Sequence, residues 1–213
     1  MNYRITGSGS CIPDITKKNS DFLENKFLDT DGDKFQTSNS EIIDKFNSIT
    51  GIYERRYAPD EVNCSDLAAV AADLAINDSK LDQETLDYII VAHNTGDISC
   101  SSGQVDTLPS VASKVKAKLK IKNPNCVAYD IICGCPGWVE GIIQAKSFIK
   151  SGMAEKCLVI GCDTLSRILD ENDRDSMIYA DGSGAIILES DNSYDGGISV
   201  SYTHLTLPTK RIV

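Results

Sequence analysis

One cysteine lies where the chain could use a thiol as a nucleophile. Cys135 belongs to the segment Cys133-Gly134-Cys135-Pro136-Gly137, which follows a short apolar run typical of a strand. Pro136 suits the first position of a helix, because that position needs no backbone N–H. A thiol at this turn would lie beside the free N–H groups of the first helical turn, which favour a thiolate and can hold an oxyanion. The pattern therefore makes Cys135 a candidate nucleophile.

The same segment allows two other interpretations. Cys133 and Cys135 could bind a metal, but a C-x-C pair without a second pair or spaced histidines is a poor zinc signature. Both could instead be small buried residues, the usual state of a free thiol. We expect Cys133 to point into the strand in a structural role, and we predict no metal site.

Apolar patterns predict the elements that hold this turn. Short runs rich in β-branched residues predict strands at 3–7, 87–92, 126–131, 156–161 and 185–188. Four features indicate helices: a capping box of Ser38 and Glu41 with an end at Gly51, a shared face of Leu67, Val70, Ala71 and Leu74, a start at Pro109, and a start at Pro136. Strands that alternate with helices indicate an α/β fold with a mainly parallel sheet.

Two patterns near the start match known binding loops only in part. Gly7-Ser8-Gly9 lacks the third glycine of a dinucleotide loop, because Ile12 occupies that place, so a tight turn at a strand end is predicted. In the acidic run 29–33, Gly32 precedes the last aspartate, whereas a calcium loop needs a glycine after its third acidic ligand. A solvated turn is predicted there.

Charge and composition narrow the class of protein. A net charge of −10 argues against a nucleic-acid binder, which needs a basic face. No stretch approaches the roughly 20 apolar residues of a membrane span, and the start is too short and polar for a signal peptide. We therefore expect a cytoplasmic protein whose eight cysteines are reduced. Alternate lysines from Lys114 to Lys122 predict a solvated face, with docking of an acidic carrier protein as the alternative.

The segment from Asp130 to Trp138 resembles the active-site segment of ketoacyl-ACP synthase III enzymes, in the thiolase superfamily. In that family an aspartate precedes the nucleophilic cysteine by five positions, and a small residue, a glycine and an aromatic residue follow it. Further segments agree in order and spacing: residues 50–56, 108–110, 161–167 and 173–185. The resemblance covers about residues 1–190.

The resemblance implies the layered αβαβα thiolase fold, built from two similar halves, of which residues 1–200 supply the first. It also implies an acyltransferase of fatty-acid biosynthesis and lipid metabolism. A primer from acyl-CoA or acyl-ACP would acylate Cys135, and malonyl-ACP would lose CO₂ to supply the attacking carbanion. A histidine and an asparagine of the second half would stabilise the enolate, so this chain is expected to accept an acyl group without condensing it. No bound cofactor is implied.

Two further residues carry over from the family. Arg174 matches an arginine that flanks the CoA adenine, although the family's aromatic partner falls at Lys45, so the primer could arrive on another carrier. Leu108 corresponds to the residue that closes the acyl pocket of the neighbouring subunit, which implies a homodimer. The pair His93-Asn94 precedes the nucleophile, whereas the family's catalytic pair follows it, so we attribute His93 to loop polarity.

Three alternative functions remain open, and one terminal segment differs from the rest of the chain. A different thiolase-fold acyltransferase or a hydroxymethylglutaryl-CoA synthase-like enzyme would also use a cysteine at such a turn. A non-catalytic partner subunit would not need Cys135. Residues 201–213 are basic, lack acidic residues and resemble a translated sequencing adapter, so they are predicted to be a non-native tail.

Overall fold

A computed structural model of the chain describes residues 2–193, and the predicted tail at 201–213 lies outside them. The described strands are β1 (Tyr3–Cys11), β2 (Ile15–Lys18), β3 (Glu54–Tyr57), β4 (Tyr88–Ala92), β5 (Asp97–Ile98), β6 (Val105–Asp106), β7 (Val127–Ile131), β8 (Lys156–Thr164) and β9 (Asp181–Ser190). The α-helices are α1 (Asn39–Thr50), α2 (Cys64–Ser79), α3 (Val111–Lys118) and α4 (Gly137–Ser151).

Five strands form one mixed sheet in the order β1-β9-β8-β4-β7. Strand β4 runs parallel to both of its neighbours, β7 and β8, whereas β9 is antiparallel to β8 and to β1. The predicted strand at 87–92 is therefore the interior strand β4, and its residues from Ile89 to Ala92 are all buried. Burial on both faces follows because helices cover both sides of the sheet.

Three layers make up this part of the chain. Helices α2 and α3 pack on one face of the sheet through a core that includes Ala72, Val115 and Leu158. Helix α4 packs on the other face, where Ile142 and Ile149 meet apolar residues of β4, β8 and β9. This helix–sheet–helix order is what one half of an αβαβα fold requires.

The predicted capping box is confirmed at the start of α1. Ser38 Oγ accepts a hydrogen bond from the Glu41 N–H at 3.3 Å, and Glu41 Oε2 accepts one from the Ser38 N–H at 3.2 Å. Gly51 ends the helix with a φ of 68°, a left-handed conformation that favours glycine. The helix covers a small separate core with Phe22 and Met177.

The turn predicted at Gly7 and Gly9 is wrong, because both glycines lie inside β1. A Cβ atom on Gly7 would lie 2.3 Å from the Ala75 carbonyl oxygen, and one on Gly9 would lie 2.2 Å from the Ala71 carbonyl oxygen. The two glycines therefore serve a close contact between β1 and α2. Strands β8 and β9 also extend beyond their predicted ends, since they pair with each other along nine residues.

The buried face of α2 differs from the predicted one. Leu67 and Ala71 are buried, but Val70 and Leu74 are about half exposed. The buried face is instead rich in alanine: Ala68, Ala71, Ala72 and Ala75 are fully buried. Small side chains are required there because the backbones of β1 and α2 approach so closely.

The start of α3 lies two residues after the predicted start at Pro109. Ser110 is the N-cap, and its Oγ accepts a hydrogen bond from the Ser113 N–H at 3.1 Å, so Pro109 precedes the helix. Three of the five lysines expected on a solvated face have internal partners. Lys114 pairs with Asp97 at 3.0 Å, Lys116 donates to two backbone carbonyls at 2.7 Å, and Lys118 pairs with a carboxylate of α2 at 2.6 Å.

Each helix among the residues that the structure describes is too short or too polar to span a membrane.

Candidate active site

Cys135 lies in the predicted turn between β7 and α4. Gly134 has a φ of 69°, and its carbonyl oxygen accepts a hydrogen bond from the Gly137 N–H at 2.9 Å, which closes the turn. Pro136 is the N-cap, one position earlier than predicted, and α4 begins at Gly137. The N–H groups of the next residues lie in the first helical turn, where the helix itself has no acceptors for them. The thiol is exposed beside this turn.

The exposed thiol opens onto a cleft of 390 Å³ where β4, β7 and β8 end. These parallel strands place their carboxyl ends at one edge of the sheet, the usual location of a site in open α/β sheets. The cleft is lined by residues at those strand ends or just beyond them, among them His93, Asn94, Trp138, Cys162 and Asp163. These residues come from segments far apart in the sequence, and the strand order brings them together.

Cys133 does not occupy the predicted position. It lies in the turn after β7 rather than in the strand, and its side chain is exposed. Cys133 lies beside the start of α4, since a Cβ on Gly137 would be 3.6 Å from Cys133 Cβ, an ordinary contact distance. Cys133 lies outside the lining of the cleft. Within residues 2–193, no group of three or more histidine, cysteine or acidic side chains is arranged to hold a metal ion.

Close packing fixes the start of α4 against the sheet. A Cβ on Gly137 would lie 3.1 Å from Ala92 Cβ, and one on Gly141 would lie 2.9 Å from Val159 Cγ1. On the strand side, a Cβ on Gly161 would lie 3.2 Å from Trp138 Cδ1. Glycines on both surfaces therefore allow the helix and its tryptophan to lie directly on β4 and β8, which holds the Cys135 turn in place.

Asp130, five residues before Cys135, ties three elements together. Its Oδ2 lies 2.9 Å from His93 Nε2 and accepts from the Val111 N–H at 2.8 Å, while its Oδ1 accepts from the Ala112 N–H at 2.8 Å. Burial alone would raise the pKa of Asp130, but these hydrogen bonds outweigh burial and lower it. The carboxylate also satisfies two free N–H groups at the start of α3.

His93 lies in the loop after β4, as predicted, but loop polarity does not account for it, because its side chain is buried. It is only 3% exposed and directly follows the buried strand β4. Since an ionised Asp130 can only accept hydrogen bonds, His93 Nε2 carries the proton, and its Nδ1 has no hydrogen-bond partner among the described residues. The signal in the sequence was its position immediately after an interior strand.

A second polar contact joins the ends of β4 and β8. Asp163 Oδ1 accepts from the Asn94 N–H at 2.8 Å, and Asp163 Oδ2 accepts from Asn94 Nδ2 at 2.6 Å. Burial raises the pKa of Asp163, and the hydrogen bonds from Asn94 offset this effect only in part. Sequence reasoning did not identify Asp163, because nothing local distinguishes a carboxylate at a strand end from a surface one.

Arg174 lies in a separate depression of 490 Å³, outside the lining of the Cys135 cleft. Its guanidinium carbon is 4.8 Å from the centre of the Phe35 ring, whereas the family resemblance led to Lys45 as the stacking position. Phe35 was missed because it lies in an irregular segment ten positions earlier. Four carboxylates also line this depression: Asp29, Asp170, Asp173 and Asp175.

Leu108, the residue expected to reach a neighbouring subunit, is 84% exposed. It lies two residues before the N-cap of α3 and follows the short β5–β6 hairpin. The hairpin pairs Asp97 with Asp106 and Ile98 with Val105. The side chain is thus available for a contact outside the described chain.

Comparison with known proteins shows which enzymes this chain resembles. The family model described as 3-oxoacyl-[acyl-carrier-protein (ACP)] synthase III matches residues 129–205. The beta-ketoacyl-[acyl-carrier-protein] synthase III of Neisseria gonorrhoeae is 38% identical over 192 residues, 89% of this chain and 53% of that protein. The synthase III 1 of Vibrio cholerae is 35% identical over 205 residues, 96% of this chain and 57% of that protein. This chain is therefore similar to the 3-oxoacyl-ACP synthase III family.

Solved structures of the family confirm the thiolase-like fold class. The Aquifex aeolicus 3-oxoacyl-ACP synthase III superposes with a TM-score of 0.71 at 32% identity, covering 90% of this chain and 55% of that one. The Thermus thermophilus synthase III superposes with a TM-score of 0.70 at 30% identity, covering 89% and 52%. The chain spans about half the length of the synthases it matches.

Proposed function

We propose that this chain carries the acyl-accepting site of a condensing enzyme of the 3-oxoacyl-ACP synthase III type, acting in fatty-acid biosynthesis. One observation carries the proposal. An exposed cysteine precedes α4 in the cleft where three parallel strands end, in a chain 38% identical to a synthase of this type. Fold alone would not support an activity, but a nucleophile in that position does.

In the proposed first step, Cys135 Sγ attacks the thioester carbonyl of an acyl primer. The carbonyl oxygen becomes an oxyanion, for which the free N–H groups of the first turn of α4 are suitable donors. Collapse of the tetrahedral intermediate expels the carrier's pantetheine thiolate, which takes up a proton. The acyl group then remains on Cys135 as a new thioester.

We propose that the second step, condensation with malonyl-ACP, needs groups beyond those described. Loss of CO₂ leaves an enolate whose negative oxygen requires a nearby donor. His93 is the sole histidine in residues 2–193, and its Nε2 is committed to Asp130. We therefore expect the 213-residue chain to accept an acyl group without forming a ketoacyl product.

We propose the carrier-bound or CoA-bound primer, the acyl carrier protein and a second copy of the chain as partners. Arg174 stacked on Phe35 offers a flat cationic surface of the kind that an adenine ring contacts. The four aspartates around it weigh against a nucleotide that carries several phosphates, which favours a primer on a carrier protein. Leu108 is proposed to enter the acyl pocket of a second subunit.

An alternative of a different class is a non-catalytic partner subunit with the same fold. The exposed Cys135 and its tightly packed helix start weigh against it, since such a subunit needs no nucleophile. Another thiolase-fold acyltransferase, or a hydroxymethylglutaryl-CoA synthase-like enzyme, would use the same thiol. The identity of the acyl group transferred separates these enzymes.

Intact-mass measurement after incubation with a panel of acyl-CoAs and acyl-ACPs tests the proposal. The wild type should gain one acyl group, and the Cys135→Ala variant should gain none. Cys133→Ala is a matched control, because this thiol is also exposed and lies two residues away. It should be acylated like the wild type. An adduct on Cys135→Ala, or no adduct on a folded wild type with any donor, would contradict the proposal.

A further inference from the structure

Two buried thiols meet beside the Cys135 cleft. Cys64 is the first residue of α2, Cys162 lies near the end of β8, and their Sγ atoms are 3.0 Å apart. We propose that Cys64 and Cys162 form an oxidisable dithiol, a modification site in which a peroxide joins α2 to β8 through a disulfide bond. This proposal is independent of the acyl-transfer reaction.

The geometry needs little change to form the bond. A disulfide has an S–S distance of about 2.05 Å, so the two sulfur atoms need to approach by about 1 Å. Both residues belong to the same apolar core, in which α2 already packs against β8 and β9. Neither backbone has to leave its element, because side-chain rotation can supply a movement of this size.

The cleft gives a small oxidant a route to one of the two sulfurs. Cys162 belongs to the lining of the cleft that contains Cys135, whereas Cys64 is fully buried behind it. The surroundings of Cys64 are otherwise apolar, including Ala68 and Ile160. Peroxide is therefore expected to react at Cys162 first, with Cys64 as the resolving thiol.

The chemistry balances with hydrogen peroxide as the oxidant. The thiolate of Cys162 attacks one peroxide oxygen, the O–O bond breaks, hydroxide leaves, and Cys162 becomes a sulfenic acid. The Cys64 sulfur then displaces the sulfenic hydroxyl as water, and the disulfide forms. In sum, two thiols and one peroxide give one disulfide and two water molecules. A dithiol reductant reverses the change.

The rate of this reaction should be low. The hydrogen bond that the neutral Cys162 thiol shares with Cys64, together with burial, raises the pKa of Cys162, so its reactive thiolate is scarce at neutral pH. Exposed thiols such as Cys135 should therefore react before the pair does. The disulfide would connect residues 98 positions apart, and closing so long a loop restricts the unfolded chain. Oxidation should raise the melting temperature, and dithiothreitol should reverse the rise.

The test is peptide mapping of the wild-type chain before and after hydrogen peroxide treatment, with remaining thiols alkylated after denaturation. We expect a peptide pair linked through Cys64 and Cys162, which dithiothreitol separates. The same link should form in Cys135→Ala, which removes the competing exposed thiol, and it should be absent from Cys64→Ser. Full alkylation of Cys64 and Cys162 in peroxide-treated protein would overturn the proposal.

Two buried cysteines serve as internal controls in the same sample. Cys126 and Cys157 are both buried, but no sulfur–sulfur contact joins them in the described part of the chain, so they should remain unlinked. Cys157 lies in β8 and is fully buried, so protection from a thiol reagent before denaturation reports the native fold. Labelling of native Cys157, or a link between Cys126 and Cys157, would contradict the packing on which the proposal rests.

Discussion

Asp130 and His93 are joined by a 2.9 Å hydrogen bond at the carboxyl ends of two neighbouring parallel strands. The same carboxylate binds the first two N–H groups of α3. One side chain thus fixes β4, β7 and α3 relative to each other, five residues before the candidate nucleophile. We infer that Asp130 is a positioning residue for the Cys135 turn.

Replacing Asp130 with asparagine should lower the free energy of unfolding by about 2 kcal/mol. The amide lacks the negative charge, and its NH₂ group would face backbone N–H donors in place of an accepting oxygen. Urea unfolding followed by circular dichroism measures this change. Asp175→Asn is the control, since that side chain is 67% exposed and should change the free energy of unfolding by about 0.5 kcal/mol or less. Equal effects of the two variants would argue against the role assigned to Asp130.

Asp130 and Asp163 should make opposite contributions to the pH dependence of stability. The pKa of Asp130 is lowered in the folded chain, so its contribution is complete above the ordinary aspartate pKa of about 3.9 and is lost as pH falls through the lower folded value. The pKa of Asp163 is raised, so its contribution is complete below about pH 3.9 and is lost as pH rises through the higher folded value.

Urea midpoints of the wild type, Asp130→Asn and Asp163→Asn between acidic and neutral pH test this difference. Asp130→Asn should lose less stability on acidification than the wild type. Asp163→Asn should lose less stability than the wild type as pH rises above about 4. Parallel pH curves for all three proteins would rule out the assigned directions.

The contact between β1 and α2 predicts a strong effect at Gly9. A Cβ there would lie 2.2 Å from a backbone oxygen, so Gly9→Ala should cost about 3 kcal/mol in the free energy of unfolding. Gly184→Ala is a matched control in β9, because a Cβ at Gly184 has no heavy atom within 4 Å. Thermal and urea unfolding measure both. A tolerated Gly9→Ala would mean that α2 lies farther from β1.

Lys114 should hold the β5–β6 hairpin against α3. Its ammonium group lies 3.0 Å from Asp97 and 2.8 Å from Asp106, and these hydrogen bonds raise the pKa of Lys114 against the effect of burial. Lys114→Met should increase cleavage within residues 93–107 by thermolysin several-fold, because local opening becomes easier. Lys122→Met, on the same lysine-rich stretch, should leave the cleavage rate unchanged. A change in both variants would indicate a general loss of stability.

The sequence predicted many of the strands and helices and one residue of the candidate site. Capping residues fixed the start of α1, and the apolar run at 87–92 indicated an interior strand, because both signals are local. The turn at Cys135 was likewise readable from a proline and two glycines around a cysteine. Arg174 and Leu108 keep the roles that the family resemblance implies as predictions.

The remaining features depend on contacts between distant segments. The spacing of Gly7 and Gly9 is typical of a turn, and the close packing of α2 on β1 that explains both glycines is not visible in the local sequence. His93 looks like a loop residue until Asp130 is brought to it from 37 positions away. Phe35 lies 139 positions from Arg174, so no local pattern could pair them. Such contacts follow from strand order, which sequence periodicity does not specify.

The position of β1 at the edge of the sheet constrains the order of events during synthesis. Strand β1 pairs with β9, and Tyr3 lies opposite Ser190, so the two strands cannot pair fully until Ser190 has been synthesised. The parallel trio β4, β7 and β8 is complete once Thr164 has emerged from the ribosome. The cleft edge can therefore assemble before β1 pairs, and a chain that ends at residue 170, and so lacks β9, should leave β1 open to protease.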